Sequence, residues 1–313
     1  MYEYASNRVP LRHLTEQSGV LAVIVETIGT SYRTVGTMMA FLADGRRIGS
    51  LSSGCIEDDI AEHAKTALAT GQAQSLRYGT GSPFFDLKLP CGGGLTILLI
   101  PDLGPALLRQ VLALGQDRQP VHLSIGLQHG DLMVLNTPEP RDARLLVTLQ
   151  PELRFWVYGH GVEAIAFASM AHAAGYDVTL YGQQDLQADL SRLGSLRLHS
   201  VPSFRSYICP VPDDRTAITL FFHDHENEAR LLAQFLPSDA FFIGAQGSLM
   251  ARNRLLADLR AMAVPEAHIA RLRPEFGLIA SCRDPRTLAV SVMAHVLSTA
   301  DSAMRVDPAT PAR

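Results

Sequence analysis

The feature that most constrains the fold is a regular alternation of apolar and amphipathic segments after Pro151. The apolar segments have the length of strands and read RFWVYG, DVTLYG, TAITLFF and DAFFIG. The amphipathic segments predict helices over residues 162–174, 226–235, 247–261 and 284–299. Strands that alternate with helices in this way are typical of a parallel sheet that is covered by helices.

A glycine-rich turn joins the first of these strands to the first helix. Gly159, Gly161 and Ala164 form the series G-x-G-x-x-A, with His160 between the glycines. Such a turn lets a pyrophosphate approach the backbone at a helix N-terminus, so we predict a doubly wound, Rossmann-like domain that binds a phosphate-bearing ligand. The alternative interpretation is a turn kept for packing alone. The ribose-binding carboxylate expected about 20 residues on is replaced by Tyr-Gly-Gln at 181–183, which weakens ordinary NAD use.

Two further loops follow strands that should end at the same edge of this sheet. His223 and Asp224 follow the third strand, where they either bind a polar ligand or metal or are simply solvated. Gly244, Gly247 and Ser248 follow the fourth strand and are candidates for a second anion-binding turn at a helix start.

The first half of the chain has a different pattern, dominated by strands. The strand-like runs are VLAVIVETIG, a hairpin centred on Asp44-Gly45, LTILLIP, HLSIGL, LMVLN and RLLVTL. One helix is expected to end at Gly71 and another to cover residues 105–114. This half is therefore predicted to be an α+β domain with a mostly antiparallel sheet.

Length and composition set the domain organisation. The 313 residues exceed what one ordinary core spans, and we place an α+β domain at 1–150, a Rossmann-like domain at 151–302 and a disordered tail at 303–313. A chain that is 47% hydrophobic and 19% charged should fold as a globular protein. The net charge of −4, with scattered basic residues, argues against nucleic-acid binding.

Apolar runs in the chain are no longer than strands, so a membrane segment is not expected. The N-terminus has no apolar stretch followed by a small-residue cleavage site, which favours a cytoplasmic protein. The cysteines are far apart and have no C-x-x-C spacing, which indicates free thiols; Cys209 and Cys282 are interpreted as structural.

Two cysteines of the first domain stand at positions suited to chemistry. Cys55 lies at the start of a helix, where the dipole favours thiolate, although the acidic residues at 57–59 oppose this effect. Cys91 precedes Gly92 and Gly93, in a turn that leaves a thiol approachable and backbone N–H groups free to meet an anion. The alternative is a pair of buried structural thiols beside tight turns.

Six segments in the same order resemble the XdhC/CoxI family, the accessory proteins of xanthine dehydrogenase and related molybdenum hydroxylases. They are GSLSSGCIEDDIAEHA, LPCGGGLTILL, WVYGHGVEA, HDHENEARLL, FFIGAQGSLMARNRLL and FGLIASCRDPRTLAVSVMAHV. The chain departs from the family pattern at Ser53, at 181–183, at Ile279 and at Ser281. From the resemblance we therefore carry over only Cys55, Cys91 and the glycine turns.

The resemblance implies a cytoplasmic protein that binds the molybdenum cofactor, molybdopterin, protects it while its sulfido ligand is installed and delivers it to an apo molybdenum hydroxylase. A cysteine desulfurase and the xanthine dehydrogenase-like target would be its partners, and a homodimer is favoured. On this hypothesis Gly159, Gly161 and Ala164 hold the phosphate, while Cys91, with Cys55, approaches the molybdenum. Such a protein need not catalyse a reaction.

Two other functions are compatible with the glycine turn. One is an NAD(P)-dependent oxidoreductase, although no clear hydride-transfer pair is evident. The other is a nucleotide-sensing module in which the cysteines are structural.

Overall fold

The computed structural model describes residues 6–52, 54, 56–80, 92–183, 196–222 and 227–304. Of residues 302–304 it describes the backbone only. The chain divides into two compact units, one that ends at Pro151 and one that begins at Glu152. The first has antiparallel sheets with helices and the second a parallel sheet covered by helices, which confirms the predicted fold class.

A five-stranded antiparallel sheet organises the first unit, in the order β3-β2-β1-β5-β4. Its strands are β1 (Gly19–Ile28), β2 (Met38–Leu42), β3 (Arg47–Gly49), β4 (Gln74–Gly79) and β5 (Gly94–Pro101). The predicted hairpin at Asp44-Gly45 is confirmed, because β2 and β3 pair on either side of it and Gly45 has a φ of 90°. Strand β4 is not predicted by the sequence patterns.

Both faces of this sheet are covered. Helix α2 (Glu57–Thr70) packs on one face and ends, as predicted, at Gly71 in the left-handed conformation. The other face packs against helices and a smaller sheet of order β7-β6-β8. These elements are α1 (Arg8–Glu16), α3 (Pro105–Gln116), β6 (Val121–Gly126), β7 (Leu132–Leu135) and β8 (Arg144–Leu149).

The second unit is built on a five-stranded parallel sheet of order β11-β10-β9-β12-β13. Its strands are β9 (Arg154–Gly159), β10 (Asp177–Gly182), β11 (Arg197–Ser200), β12 (Thr216–Phe221) and β13 (Phe242–Ala245). The four strands predicted for this unit are confirmed, and β11 is an additional strand at the edge.

Helices lie on both faces of the parallel sheet. They are α4 (Val162–Ala173), α5 (Glu228–Phe235), α6 (Leu249–Ala261), the short α7 (Glu266–Ile269) and α8 (Pro285–Met304). Phe155 and Val157 of β9 pack with α4 and α8, whereas Trp156 and Tyr158 pack with α5 and α6. This alternation along one strand is what a sheet buried on both faces requires.

Helix α8 is longer than predicted and continues through the first two residues of the predicted tail. The rest of that tail, 305–313, lies outside the described residues. None of the helices described has both the length and the apolar character needed to cross a membrane.

Candidate functional site

The strand order of the second unit creates a crevice between β9 and β12. From β9 the chain continues to β10 on one side, whereas β12 lies on the other side of β9. Ligands of doubly wound sheets bind at this point, beyond the carboxyl ends of the strands. Gly159 is paired with Phe221 at those ends. The predicted glycine turn therefore lies at the crevice.

The two glycines of the turn are needed for different reasons. A Cβ atom on Gly159 would overlap the backbone carbonyl oxygen of Phe221, so this glycine permits close packing of β9 against β12. Gly161 is the N-terminal cap of α4 and has a φ of 98°, a conformation that other residues rarely adopt. Packing thus accounts for Gly159, while Gly161 shapes the start of the helix.

The N-terminus of α4 is capped by Gly161, which has no side chain to accept a hydrogen bond from the helix. The first N–H groups of an α-helix have no acceptor within the helix itself. These groups and the helix dipole favour an anion. Ala164, which is fully buried, allows close packing of the helix on the sheet. Glu163 in the first turn already places a negative charge at this end of the helix, and this charge repels a second anion.

His160 adds a polar side chain to the crevice. Its ring packs edge-to-face against Phe222, with the ring centroids 6.0 Å apart. Its Nδ1 atom is buried and makes no hydrogen bond with the described residues. The structure therefore brings together His160, Gly161 and the residue that follows β12, and leaves one ring nitrogen able to bind a ligand.

The loop after β13 lies beyond the neighbouring strand. A Cβ atom on Gly244 would be 2.8 Å from the Phe276 ring, so this glycine serves packing. Gly247 is exposed, and the Ser248 hydroxyl accepts a hydrogen bond from the N–H of Ala251 as the cap of α6. A ligand at this turn would meet the backbone of Gly247 rather than the Ser248 hydroxyl.

Gln246 is a residue of this loop that the analysis of the sequence missed. Its Oε1 atom is buried without a hydrogen bond to the described residues, and it lines a cavity of about 40 Å³ together with Arg252 and Phe276. The guanidinium of Arg252 donates to the carbonyl oxygen of Arg273 at 2.7 Å. The sequence signal that could have identified this residue is a polar side chain that lies between the two glycines of the loop and follows a buried strand.

The end of β10 is aromatic, where a nucleotide-binding domain commonly has an acid. Tyr181 stacks on Tyr158, with ring centroids 4.4 Å apart and planes 7° apart, and both rings are buried. Burial raises the pKa of Tyr181 to about 12, so the phenol is neutral at physiological pH. This position offers no carboxylate to a ribose.

In the first unit, a buried carboxylate binds residues that flank Cys55 in the sequence. Glu57 is only 6% exposed and accepts hydrogen bonds from the backbone N–H groups of Leu51 and Ile56, each at 3.2 Å, and from Ser52. Burial acts to raise the pKa of Glu57, but the hydrogen bonds outweigh it and lower the pKa to about 2. The carboxylate is therefore ionised and fixes the residues on both sides of position 55.

The neighbouring acids have other partners. Asp58 forms an exposed ion pair with Arg47 at 2.6 Å, and Asp59 accepts a 2.6 Å hydrogen bond from the hydroxyl of the buried Tyr78. The sequence at 57–59 shows only a block of like charge, whereas in the structure each acid of the block has its own structural role.

The glycines after Cys91 also differ from one another. Gly92 has a φ of 70° and open space around its Cα, and its carbonyl accepts a 3.2 Å hydrogen bond from the Thr80 hydroxyl. A Cβ atom on Gly93 would overlap the carbonyl oxygen of Thr30, so Gly93 is required for packing. Gly92 is the better placed of the two to face a ligand.

Several predicted ligand residues lie outside the described residues: Cys55, Cys91, His223 and Asp224. Within the part of the chain that is described, no group of three or more His, Cys, Asp and Glu side chains is arranged to hold a metal ion. The predicted metal ligands, Cys91 and Cys55, therefore stay a prediction from the sequence.

Comparison with known proteins supplies independent information. The XdhC and CoxI family matches residues 14–79, and the XdhC Rossmann domain matches residues 155–296. The molybdenum cofactor insertion chaperone PaoD of Escherichia coli K12 is 32% identical over 288 residues, which cover 91% of this chain and 84% of that protein. A probable xanthine dehydrogenase subunit of Bacillus subtilis 168 is 49% identical over 45 residues, 14% of each protein.

A solved structure shares the fold. The crystal structure of a xanthine dehydrogenase from Bacillus halodurans superposes with a TM-score of 0.80 and covers 98% of both chains, at 19% sequence identity. This likeness concerns the fold alone.

Proposed function

Because this chain belongs to the XdhC and CoxI family, we propose that it is a cytoplasmic accessory protein that binds the molybdenum cofactor as cargo. It holds the cofactor while the sulfido ligand is installed and then delivers it to an apo molybdenum hydroxylase of the xanthine dehydrogenase type. A cysteine desulfurase supplies the sulfur, and the protein acts as a homodimer. Binding and release suffice for this role, so no reaction has to be catalysed by the chain itself.

The observation that carries the proposal is the start of α4, capped by Gly161, at the crevice between β9 and β12. Molybdopterin bears a phosphate, and the N–H groups that follow Gly161 are suited to an anion. The unpartnered Nδ1 of His160 is an additional hydrogen-bonding group there. With tyrosine in place of the ribose-binding acid, this crevice suits a phosphate better than it suits a nicotinamide dinucleotide.

The proposal for the metal end rests on the sequence. Molybdenum in this cofactor is bound by sulfur, and soft metals prefer thiolate ligands. Cys91 in the C-G-G segment and Cys55 in the G-C-I-E segment are therefore proposed to bind it. Glu57 accepts hydrogen bonds from the backbone N–H groups of Ser52 and Ile56, which flank this segment in the sequence.

A binding experiment tests the function. The purified chain is titrated with molybdenum cofactor and, in parallel, with NAD, NADP and cytidine nucleotides, and retention is measured after gel filtration. We expect the cofactor to be retained and the nicotinamides to be lost, and the loaded protein to activate an apo hydroxylase. Tight binding of a nicotinamide without retention of the cofactor would overturn the proposal in favour of an oxidoreductase.

A further inference from the structure

A groove in the first unit is lined by residues other than those proposed to bind the cofactor. It runs between the β2–β3 hairpin and α2 and encloses about 350 Å³. Its floor consists of Phe41, Ala61, Ala64 and Leu68, and short side chains on α2 leave the space open. A volume of this size is within the range of small-molecule sites, which are roughly 300 Å³ or larger.

Cations line the edge of this hairpin–helix groove. Arg46, Arg47 and Lys65 line it, and none of the described residues that line it is acidic. The charged residues of the lining itself are therefore all cationic, in a chain whose net charge is −4.

The ion pairs that these cations form are exposed to solvent. Each has an acidic partner outside the groove lining: Asp44 for Arg46, Asp58 for Arg47 and Glu62 for Lys65. The Asp58 side chain is 92% exposed, and the two members of the Lys65–Glu62 pair are 70% and 72% exposed. Exposed pairs of this kind contribute little, so an anion arriving in the groove can compete for the cations.

We propose that the hairpin–helix groove binds a small amphiphilic anion. The apolar body of the ligand lies on Phe41, Ala61, Ala64 and Leu68, and its anionic group meets Arg46, Arg47 and Lys65. None of the residues that line this site is among those proposed to hold the cofactor.

The probe is anilinonaphthalene sulfonate, an aromatic anion, compared with phenylnaphthylamine, the same ring system without the sulfonate. Fluorescence titration of the full chain is expected to give one saturable site for the sulfonate and weaker binding of the neutral compound. Arg47→Glu should weaken sulfonate binding about three- to tenfold. Ala69→Trp, on an exposed lining residue, should fill the groove and abolish binding.

Matched variants separate the groove from general effects. Arg109→Glu makes the same charge change at an exposed site on α3, and Thr66→Trp adds the same ring to an exposed site on α2 that does not line the groove. Both should bind the sulfonate like the parent, and all four variants should retain cofactor. The proposal is overturned by absence of saturable binding, by equal binding of the neutral compound, or by binding that survives both Arg47→Glu and Ala69→Trp.

Discussion

The hydroxyl of Ser52 donates a 2.6 Å hydrogen bond to the carboxylate of Glu57 and accepts one from the N–H of Ile56 at 3.3 Å. The N–H of Ser52 donates to the same carboxylate at 2.9 Å. The first residue of α2 thus reaches back over the turn that precedes it. Since buried polar groups are costly when unpaired, this arrangement makes the conformation of Leu51, Ser52 and Ile56 depend on one ionised side chain.

Loss of the Glu57 charge should destabilise the fold in a pH-dependent way. The pKa of Glu57 is lowered from 4.5 to about 2, so its stabilising contribution is complete above pH 4.5 and is lost as the pH falls through about 2. Glu57→Gln should lower the free energy of unfolding at pH 7 by about 1–3 kcal/mol. Urea unfolding at pH 7, 5 and 3 measures this, and the gap between variant and parent should narrow toward acid.

Asp58→Asn is the matched control, one residue further along the same helix turn. Because the Asp58 side chain is 92% exposed, this change should alter the free energy of unfolding by less than about 1 kcal/mol at every pH. If Glu57→Gln behaved like Asp58→Asn, the carboxylate would not be what holds the loop.

The parallel sheet was predictable because β9, β10, β12 and β13 are apolar runs bounded by glycine or polar turns. Edge strand β11 was not, because Arg197–Ser200 has no fully buried residue and hence no apolar signal. Strand β4 buries only Leu76 and Tyr78 and is equally weak in pattern. Sequence patterns thus reflect which residues are buried, so elements with little buried surface are not recognised from them.

Within the site, the glycine turn was predictable from its place between a strand and a helix, but the separate tasks of its glycines were not. Gly159 and Gly93 are dictated by backbone atoms that are distant in sequence, Phe221 and Thr30. The role of Glu57 was also hidden, because an acid at a helix start is usually solvated or acts on the dipole. A charge in a sequence does not show which way the side chain turns.

Close packing at the crevice makes Gly159 intolerant of substitution. Gly159→Ala would place a methyl group on the Phe221 carbonyl and should cost about 3 kcal/mol or more. Gly45→Ala is the comparison, because Gly45 also has a positive φ but has no atom near its Cβ position, so about 1 kcal/mol is expected. Unfolding of both variants is followed by far-UV circular dichroism. For Gly159→Ala it is also followed by the fluorescence of Trp156, the single tryptophan, which lies in the same strand as Gly159. Similar losses of unfolding free energy in the two variants would contradict the packing explanation.

The phosphate end of the cargo is tested by a pair of glycines at opposite ends of α4. Gly161 and Gly175 have φ values of 98° and 90°, so alanine strains the backbone at either position. Gly161→Ala also alters the start of α4 and should weaken binding of the molybdenum cofactor about tenfold. Gly175→Ala should leave the affinity unchanged. Equal affinities in calorimetric titrations of the two variants would place the phosphate elsewhere.

The metal end is tested by comparing two cysteines of different expected character. Cys91→Ala removes a proposed thiolate ligand and should reduce molybdenum retained after desalting about tenfold or more, measured as metal per chain by mass spectrometry. Cys209→Ala is the control. Burial raises the pKa of Cys209 to about 12, so this thiol stays protonated at neutral pH and is a poor ligand. Its replacement should leave retention at the parental level. Unchanged melting temperatures would show that both variants fold, and equal retention by Cys91→Ala and the parent would remove Cys91 from the site without affecting the assignment of the crevice at Gly161.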